Sequence, residues 1–256
     1  MEPASNRIYV RLLGDARFST QSICVTEFPT RKTVELAAFL VCNDRSVHQR
    51  LDIADLLWPN IDPESSRNRL KQAIAALKRL FRPIENFLGQ DALIVTRTTI
   101  RSTHDIFAPD TNSFLLACKK AFCTRNTYEQ RPLLVEAERS YGGRFLPGID
   151  TDWVWLERQR LEEDYTNVLC LLSKSYRTTG DFAIAREYAL KAVKTDPLSD
   201  ECRREMIVTH IAMDSRSAAI KNYREFERLL REHYGYEPEA ETRELLAGID
   251  VRPAQI

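Results

Sequence analysis

No stretch of the 256-residue sequence approaches the run of about 20 apolar residues that a membrane-spanning helix needs. The opening residues, Met-Glu-Pro-Ala-Ser-Asn, contain neither the basic nor the apolar region of a secretion signal. A cytoplasmic location with no membrane partner is therefore expected. Cysteine is sparse, with six residues (Cys24, Cys42, Cys118, Cys123, Cys170 and Cys202) and no Cys-x-x-Cys pair. That scatter argues against a secreted disulfide framework and is expected to mean small buried or half-buried thiols. Cys118 and Cys123 are the pair to weigh for redox sensing, but nothing basic is placed to lower either pKa. The four histidines, His48, His104, His210 and His233, lie far apart at no ligand spacing, so no metal site is expected.

Catalytic signatures are missing as well. There is no Gly-x-x-x-x-Gly-Lys-Ser/Thr loop, no Gly-x-Gly-x-x-Gly, no His-Glu-x-x-His and no Gly-x-Ser-x-Gly. Glu162-Glu163-Asp164 and Glu237, Glu239 and Glu241 read as solvated helix faces rather than acid–base pairs. Neither an enzyme nor a bound cofactor is expected. Excess charge of one sign is lacking too: 37 basic residues balance 37 acidic ones. The balance is uneven along the chain. Residues 1–109 carry 15 basic and 12 acidic side chains, a net +3, and residues 110–256 carry 22 and 25, a net −3. So small an asymmetry permits nucleic-acid binding without requiring it, and local patterning must decide.

What is present is a globular composition, 43% hydrophobic and 29% charged, in a chain long enough for two domains. Residues 8–13, 16–18 and 22–25 are β-rich runs separated by Gly14-Asp15 and Thr20-Gln21. Helices are expected over 30–42 and 50–58, the second closing on Trp58. Asp62 as N-cap and Pro63 as first helical residue then start a third helix. Its stripe of Leu70, Ile74, Leu77 and Phe81 runs to Pro83, which is expected to end it. Residues 92–96 and 98–101 read as a hairpin. Strands, three helices and a hairpin are the element order of a winged helix.

Beyond Pro109 the strand signal vanishes. Helical patterns cover roughly 112–124, 128–144, 152–178, 181–195, 199–213, 215–233 and 239–248. Leu172, Gly180 and Ala185 recur 34 positions later as Met206, Asp214 and Ala219, the period of tetratricopeptide repeats. The fold class expected is an α+β winged helix followed by an all-α, tetratricopeptide-like domain, divided into residues 1–108 and 109–256.

The third helix is the informative element. Advancing 100° per residue from Leu70 groups Ile74, Leu77 and Phe81 on one side and puts Asn68, Gln72, Ala75 and Arg79 opposite. Arg67, Lys71 and Lys78 line one flank and Arg69 the other. A solvated surface helix ordinarily mixes charge signs, yet no glutamate interrupts this face past Glu64. Asn and Gln can pair bidentately with adenine and Arg with guanine, while flanking cations suit phosphates. Arg97 at the hairpin tip and Arg101 on its second strand add a second basic element, as a wing requires.

Several short motifs resemble those of the Streptomyces antibiotic regulatory protein family. They are Leu12-Leu13-Gly14, Trp58, Ser66-Arg67-Asn68-Arg69-Leu70, and Gly142-Gly143-Arg144-Phe145-Leu146-Pro147-Gly148 followed by Trp153, Trp155, Leu156, Glu157 and Arg160-Leu161. Tyr223-Arg224 and the stretch from Tyr234 to Arg243 resemble the family's close. Such regulators join an OmpR-type winged helix to a bacterial transcriptional activator domain. The resemblance implies a sequence-specific regulator, typically an activator, that binds repeated promoter sites as side-by-side dimers and recruits RNA polymerase. It implies DNA contacts by Arg67, Asn68, Arg69, Lys71, Gln72 and Arg79, with Arg97 and Arg101 on the wing. It also implies a polymerase-facing loop at 59–64, where Asp62 and Glu64 have a competing role as helix-capping acids. The run from Thr96 to Arg101 departs from the family's Gly-Tyr-Arg-like wing. ATP-driven switching and a phosphorylated receiver domain are not expected. The competing reading from another class is a protein-interaction adaptor in which the winged helix itself docks a protein.

Overall fold

The computed structural model describes residues 7–250. The chain forms two compact units, Met1–Phe114 with Ser140–Gln159, and Leu115–Arg139 with Arg160–Ile256. Residues 140–159 thus return to the first unit, unlike the single cut between residues 108 and 109 read from the sequence. Local periodicity reports helix or strand, and not which segments pack together.

The first unit runs β1 (Ile8–Arg11), β2 (Arg17–Ser19), β3 (Cys24–Val25), α1 (Arg31–Cys42), β4 (His48–Gln49), α2 (Arg50–Leu57), α3 (Pro63–Leu88), β5 (Leu93–Val95), β6 (Thr99–Ser102) and β7 (Phe107–Pro109). One sheet has the order β3-β2-β1-β7 and the other β4-β6-β5. β7 joins β1 in parallel, with Ile8 opposite Phe107. This is a small sheet, three helices and a hairpin, a winged-helix-like arrangement. Two strands were not foreseen. β4 is a polar His-Gln pair, and β7 ends in a proline that reads as a chain break.

Alternation puts Ile8 and Val10 of β1 inward. Phe18 of β2 meets Phe81 of α3 at 5.2 Å between ring centres and Phe107 of β7 at 6.3 Å. These rings anchor α3 to the sheet through its buried edge. Thr30 caps α1 by accepting from the Thr33 amide, and Asp62 caps α3 by accepting from the Ser65 amide at 2.9 Å.

α3 does not stop at Pro83. It continues through that residue to Leu88 and ends at Gly89, whose φ of +70° lies in the left-handed region. A proline inside a helix removes one backbone bond and crowds the preceding turn. Here Ile84 and Leu88 extend the apolar stripe of Leu77 and Phe81 and are buried, which offsets that cost.

The returning segment is tied to the first strand's end. Leu13 bridges Phe145, the Gly14 amide donates to the Arg144 carbonyl at 2.9 Å, and the Leu146 amide donates to the Leu12 carbonyl at 3.0 Å. A Cβ at Gly142 would lie 2.9 Å from the Leu13 carbonyl oxygen, so only glycine permits this approach. The helix expected to reach residue 144 accordingly ends at Ser140. The Asp110 carboxylate accepts from the Leu12 and Leu13 amides at 2.9 and 3.0 Å. Burial nevertheless raises its pKa, against the lowering effect of those amides. Buried Arg158 donates to the carbonyls of Phe145, Leu146 and Ile149 and to the Asp150 carboxylate. This guanidinium holds the 145–150 turn together.

The remaining elements are α4 (Asp110–Cys123), α5 (Thr127–Ser140), α6 (Asp152–Thr178), α7 (Phe182–Thr195), α8 (Asp200–Ala212), α9 (Arg216–Tyr234) and α10 (Ala240–Asp250). The second unit is wholly helical among the described residues, and α6–α7 and α8–α9 repeat one another. The Asp181 amide donates to the Tyr176 carbonyl at the first corner, as the Ser215 amide does to His210 at the second. Ala185 and Ala219, at matching positions after the corners, are both fully buried. Small side chains there let paired helices approach closely, the tetratricopeptide-like solution.

Candidate nucleic-acid interface

α3 offers two chemically distinct edges. Leu70, Ala73, Ile74, Ala76, Leu77 and Phe81 are buried, whereas Arg67, Asn68, Arg69, Lys71, Gln72 and Arg79 are all exposed. All six side chains expected to face DNA on this helix are therefore open to solvent. Ala75, Lys78 and Arg82 are exposed as well. Among the described residues, no carboxylate lies within ion-pair distance of Arg67, Arg69, Lys71, Lys78, Arg79 or Arg82. Arg79 makes one long bond, Nε to the Ala75 carbonyl at 3.4 Å. Unpaired cations beside two free amide side chains leave their donors available to a ligand of opposite charge.

Sequence reasoning missed Arg82, because the helix was expected to stop before Pro83. On the continued helix Arg82 falls on the same side as Lys71 and Lys78. It also missed the neighbours of the other flank. Thr30 and Lys32 of the α1 start, together with Trp58, line a shallow groove with Arg69, Gln72 and Arg79. Lys32 is already committed to Glu35 at 2.9 Å.

The hairpin is built on β5 and β6, with Leu93 opposite Ser102 and Val95 opposite Ile100. The Thr96 hydroxyl closes the turn by accepting from the Thr98 and Thr99 amides. The Arg50 guanidinium donates to the Thr96 and Arg97 carbonyls at 3.2 and 3.4 Å, so the tip is braced from the start of α2. The Arg97 side chain at the tip and Arg101 on β6 are exposed. Both belong to the same unit as α3.

Pro59, Asn60 and Asp62 between α2 and α3, and Pro63 and Glu64 at the start of α3, are exposed. The Ser65 amide bond lowers the Asp62 pKa, so this carboxylate stays ionised while it caps the helix. Elsewhere the fold brings together residues that looked isolated. His104 lies 3.2 Å from Asp105 and 3.9 Å from Asp44, each ring nitrogen facing a different carboxylate. Cys118 is buried, which pushes its thiol up to about 12, with Asp164 adding to the effect, while Cys123 is exposed. The Cys170 and Cys202 thiols are in contact.

The bacterial transcriptional activator domain family matches residues 117–249. The chain belongs to that family. This bacterial transcriptional activator domain family consists of transcription regulators and not of enzymes. Among solved structures, the chain is similar to Mycobacterium tuberculosis EmbR in complex with a low-affinity phosphopeptide, at a TM-score of 0.76 and 19% identity. The alignment covers 95% of this chain and 65% of that one, so the chain spans about two thirds of the EmbR structure's length. At that identity the likeness establishes the fold, from the small N-terminal sheet through the helical domain. No curated protein matches the sequence. Among the described residues no helix is long and apolar enough to cross a membrane.

Proposed function

We propose that this activator-domain protein is a sequence-specific DNA-binding regulator that activates transcription from repeated promoter sites as a homodimer on the DNA. One observation carries the reading: α3 presents Asn68, Gln72 and Arg79 to solvent, flanked by cations that no carboxylate neutralises among the described residues. A major groove admits an α-helix and displays base edges that amide and guanidinium groups read bidentately. In this reading Asn68 and Gln72 read bases. Arg67, Arg69 and Lys71 meet phosphates on either side, and Arg79 continues the contact along the helix. Arg97 and Arg101 reach the backbone or minor groove from the wing. DNA reading belongs to the winged-helix-like unit, which carries α3, the hairpin and the loop at 59–64. The exposed acidic loop at 59–64 is the surface offered to RNA polymerase. No cofactor or metal takes part.

Genome-wide mapping of the DNA bound by the protein tests this. The expected result is a short repeated motif enriched upstream of promoters and lost with the Asn68→Ala/Gln72→Ala variant. Bound DNA with no shared motif would refute sequence-specific reading.

A further inference from the structure

The Sγ atoms of Cys170 on α6 and Cys202 on α8 lie 3.8 Å apart, both buried. Around them are Leu169, Ala189, Ala192, Val193 and Met206. A polar clamp one turn further along the same two helices fixes how they face each other. There the Ser173 hydroxyl donates to Glu205 at 2.9 Å, and Arg177 donates to both oxygens of the same carboxylate. The contact between sulfurs is thus set by helix packing rather than by a floppy loop.

We propose that Cys170 and Cys202 are a site of oxidative modification, closing to an intrachain disulfide when the protein meets hydrogen peroxide. A disulfide needs its sulfurs at about 2.05 Å, with flexible Cβ–S torsions to reach it. Ala189 and Ala192 of α7 are the small side chains of the cluster around the pair. Cys202 is the attacking sulfur. It sits in the first turn of α8, where Ser199 caps the helix by accepting from the Cys202 amide at 3.2 Å. Hydrogen bonds from Cys170 and then from the Ser199 hydroxyl favour its thiolate, against desolvation, while the Cys170 thiol is held protonated. The thiolate attacks one peroxide oxygen, the O–O bond breaks, and the departing oxygen leaves as water after taking a proton. The Cys170 thiol then attacks the resulting sulfenic sulfur, loses its proton and expels a second water. Two thiols and one peroxide thereby give one disulfide and two waters. The product ties α6 to α8 across α7, a span of 32 residues. Such a covalent closure stabilises the helical unit against unfolding.

The test treats the reduced full-length chain with hydrogen peroxide, blocks free thiols under denaturing conditions, and maps peptides without reductant. The expected result is a crosslinked peptide pair containing Cys170 and Cys202, formed also in a Cys118→Ser/Cys123→Ser variant. The oxidised protein unfolds at a higher temperature than the reduced one. A thiol reductant reverses that shift, and it is absent in Cys170→Ser. Recovery of Cys170 and Cys202 as blocked thiols while exposed Cys24 and Cys123 are oxidised overturns the proposal. So does a Cys170–Cys202 crosslink accompanied by an equal yield of pairs between the other cysteines.

Discussion

The indole Nε1–H of Trp153 donates to the Glu35 carboxylate at 2.9 Å, across 118 residues of sequence. The same oxygen accepts from the Thr151 hydroxyl at 2.7 Å, and Lys32 pairs with the other oxygen. Glu35 is only 1% exposed, so these three donors offset the cost of burying it. Trp153→Phe keeps the ring and deletes one charge-assisted bond, which should lower unfolding free energy by about 1.5–3 kcal/mol. Glu35→Ala leaves all three donors without their acceptor and should cost more. Denaturant titration of the three proteins checks the order. Equal stability of wild type and Trp153→Phe would show that the bond contributes nothing.

Gly180 and Asp214, which stand 34 positions apart, turn the matching corners of the two helix pairs with φ of +84° and +54°. The left-handed conformation costs an ordinary L residue about 1–2 kcal/mol. A Cβ at Gly180 would touch nothing, so the whole effect of Gly180→Ala is backbone strain, a loss of about 1 kcal/mol. Asp214→Gly should be neutral or stabilising. Thermal unfolding of both variants reads the signs, and a stabilising Gly180→Ala would contradict the account.

Asp110 supplies a pH dependence. Its pKa is raised by burial from 3.8, so the folded state favours its protonated form. Its contribution to stability is therefore greatest below pH 3.8 and declines as pH rises through the folded-state value. Subtracting the stability–pH curve of Asp110→Asn from that of wild type isolates this group. The difference should fall with rising pH across that window. A difference that rises there would show that the two amide bonds outweigh burial.

Base readout and phosphate contact separate by substitution. Gln72→Ala and Asn68→Ala should each relax discrimination at one position by about 1–3 kcal/mol while leaving affinity for random duplex nearly unchanged. Selection of bound sequences from a random pool measures this. A motif unchanged in both variants removes these residues from base reading.

How much of this was legible beforehand differs by feature. The exposed and buried edges of α3 follow from a 3.6-residue period, and the Asp62-Pro63 start is a local signal. The 34-residue repeat was visible because Leu172, Gly180 and Ala185 are matched 34 positions later by an apolar residue, a turn-forming residue and the same alanine. The helix end was misjudged because Pro83 is a strong local breaker, and only tertiary burial of Ile84 and Leu88 overrides it. The return of residues 140–159, the meeting of Cys170 with Cys202, and the approach of His104 to Asp44 are long-range pairings. No periodicity encodes them.

The salt dependence of DNA binding tests the central claim most directly. Each phosphate contact contributes about 0.9 to the slope of log affinity against log salt concentration on duplex DNA. Titrating one duplex with wild type and with Arg67→Ala/Lys71→Ala should give a variant slope shallower by about 1.8. An identical slope in the two proteins, or no binding by wild type at low salt, would contradict the placement of α3 on DNA.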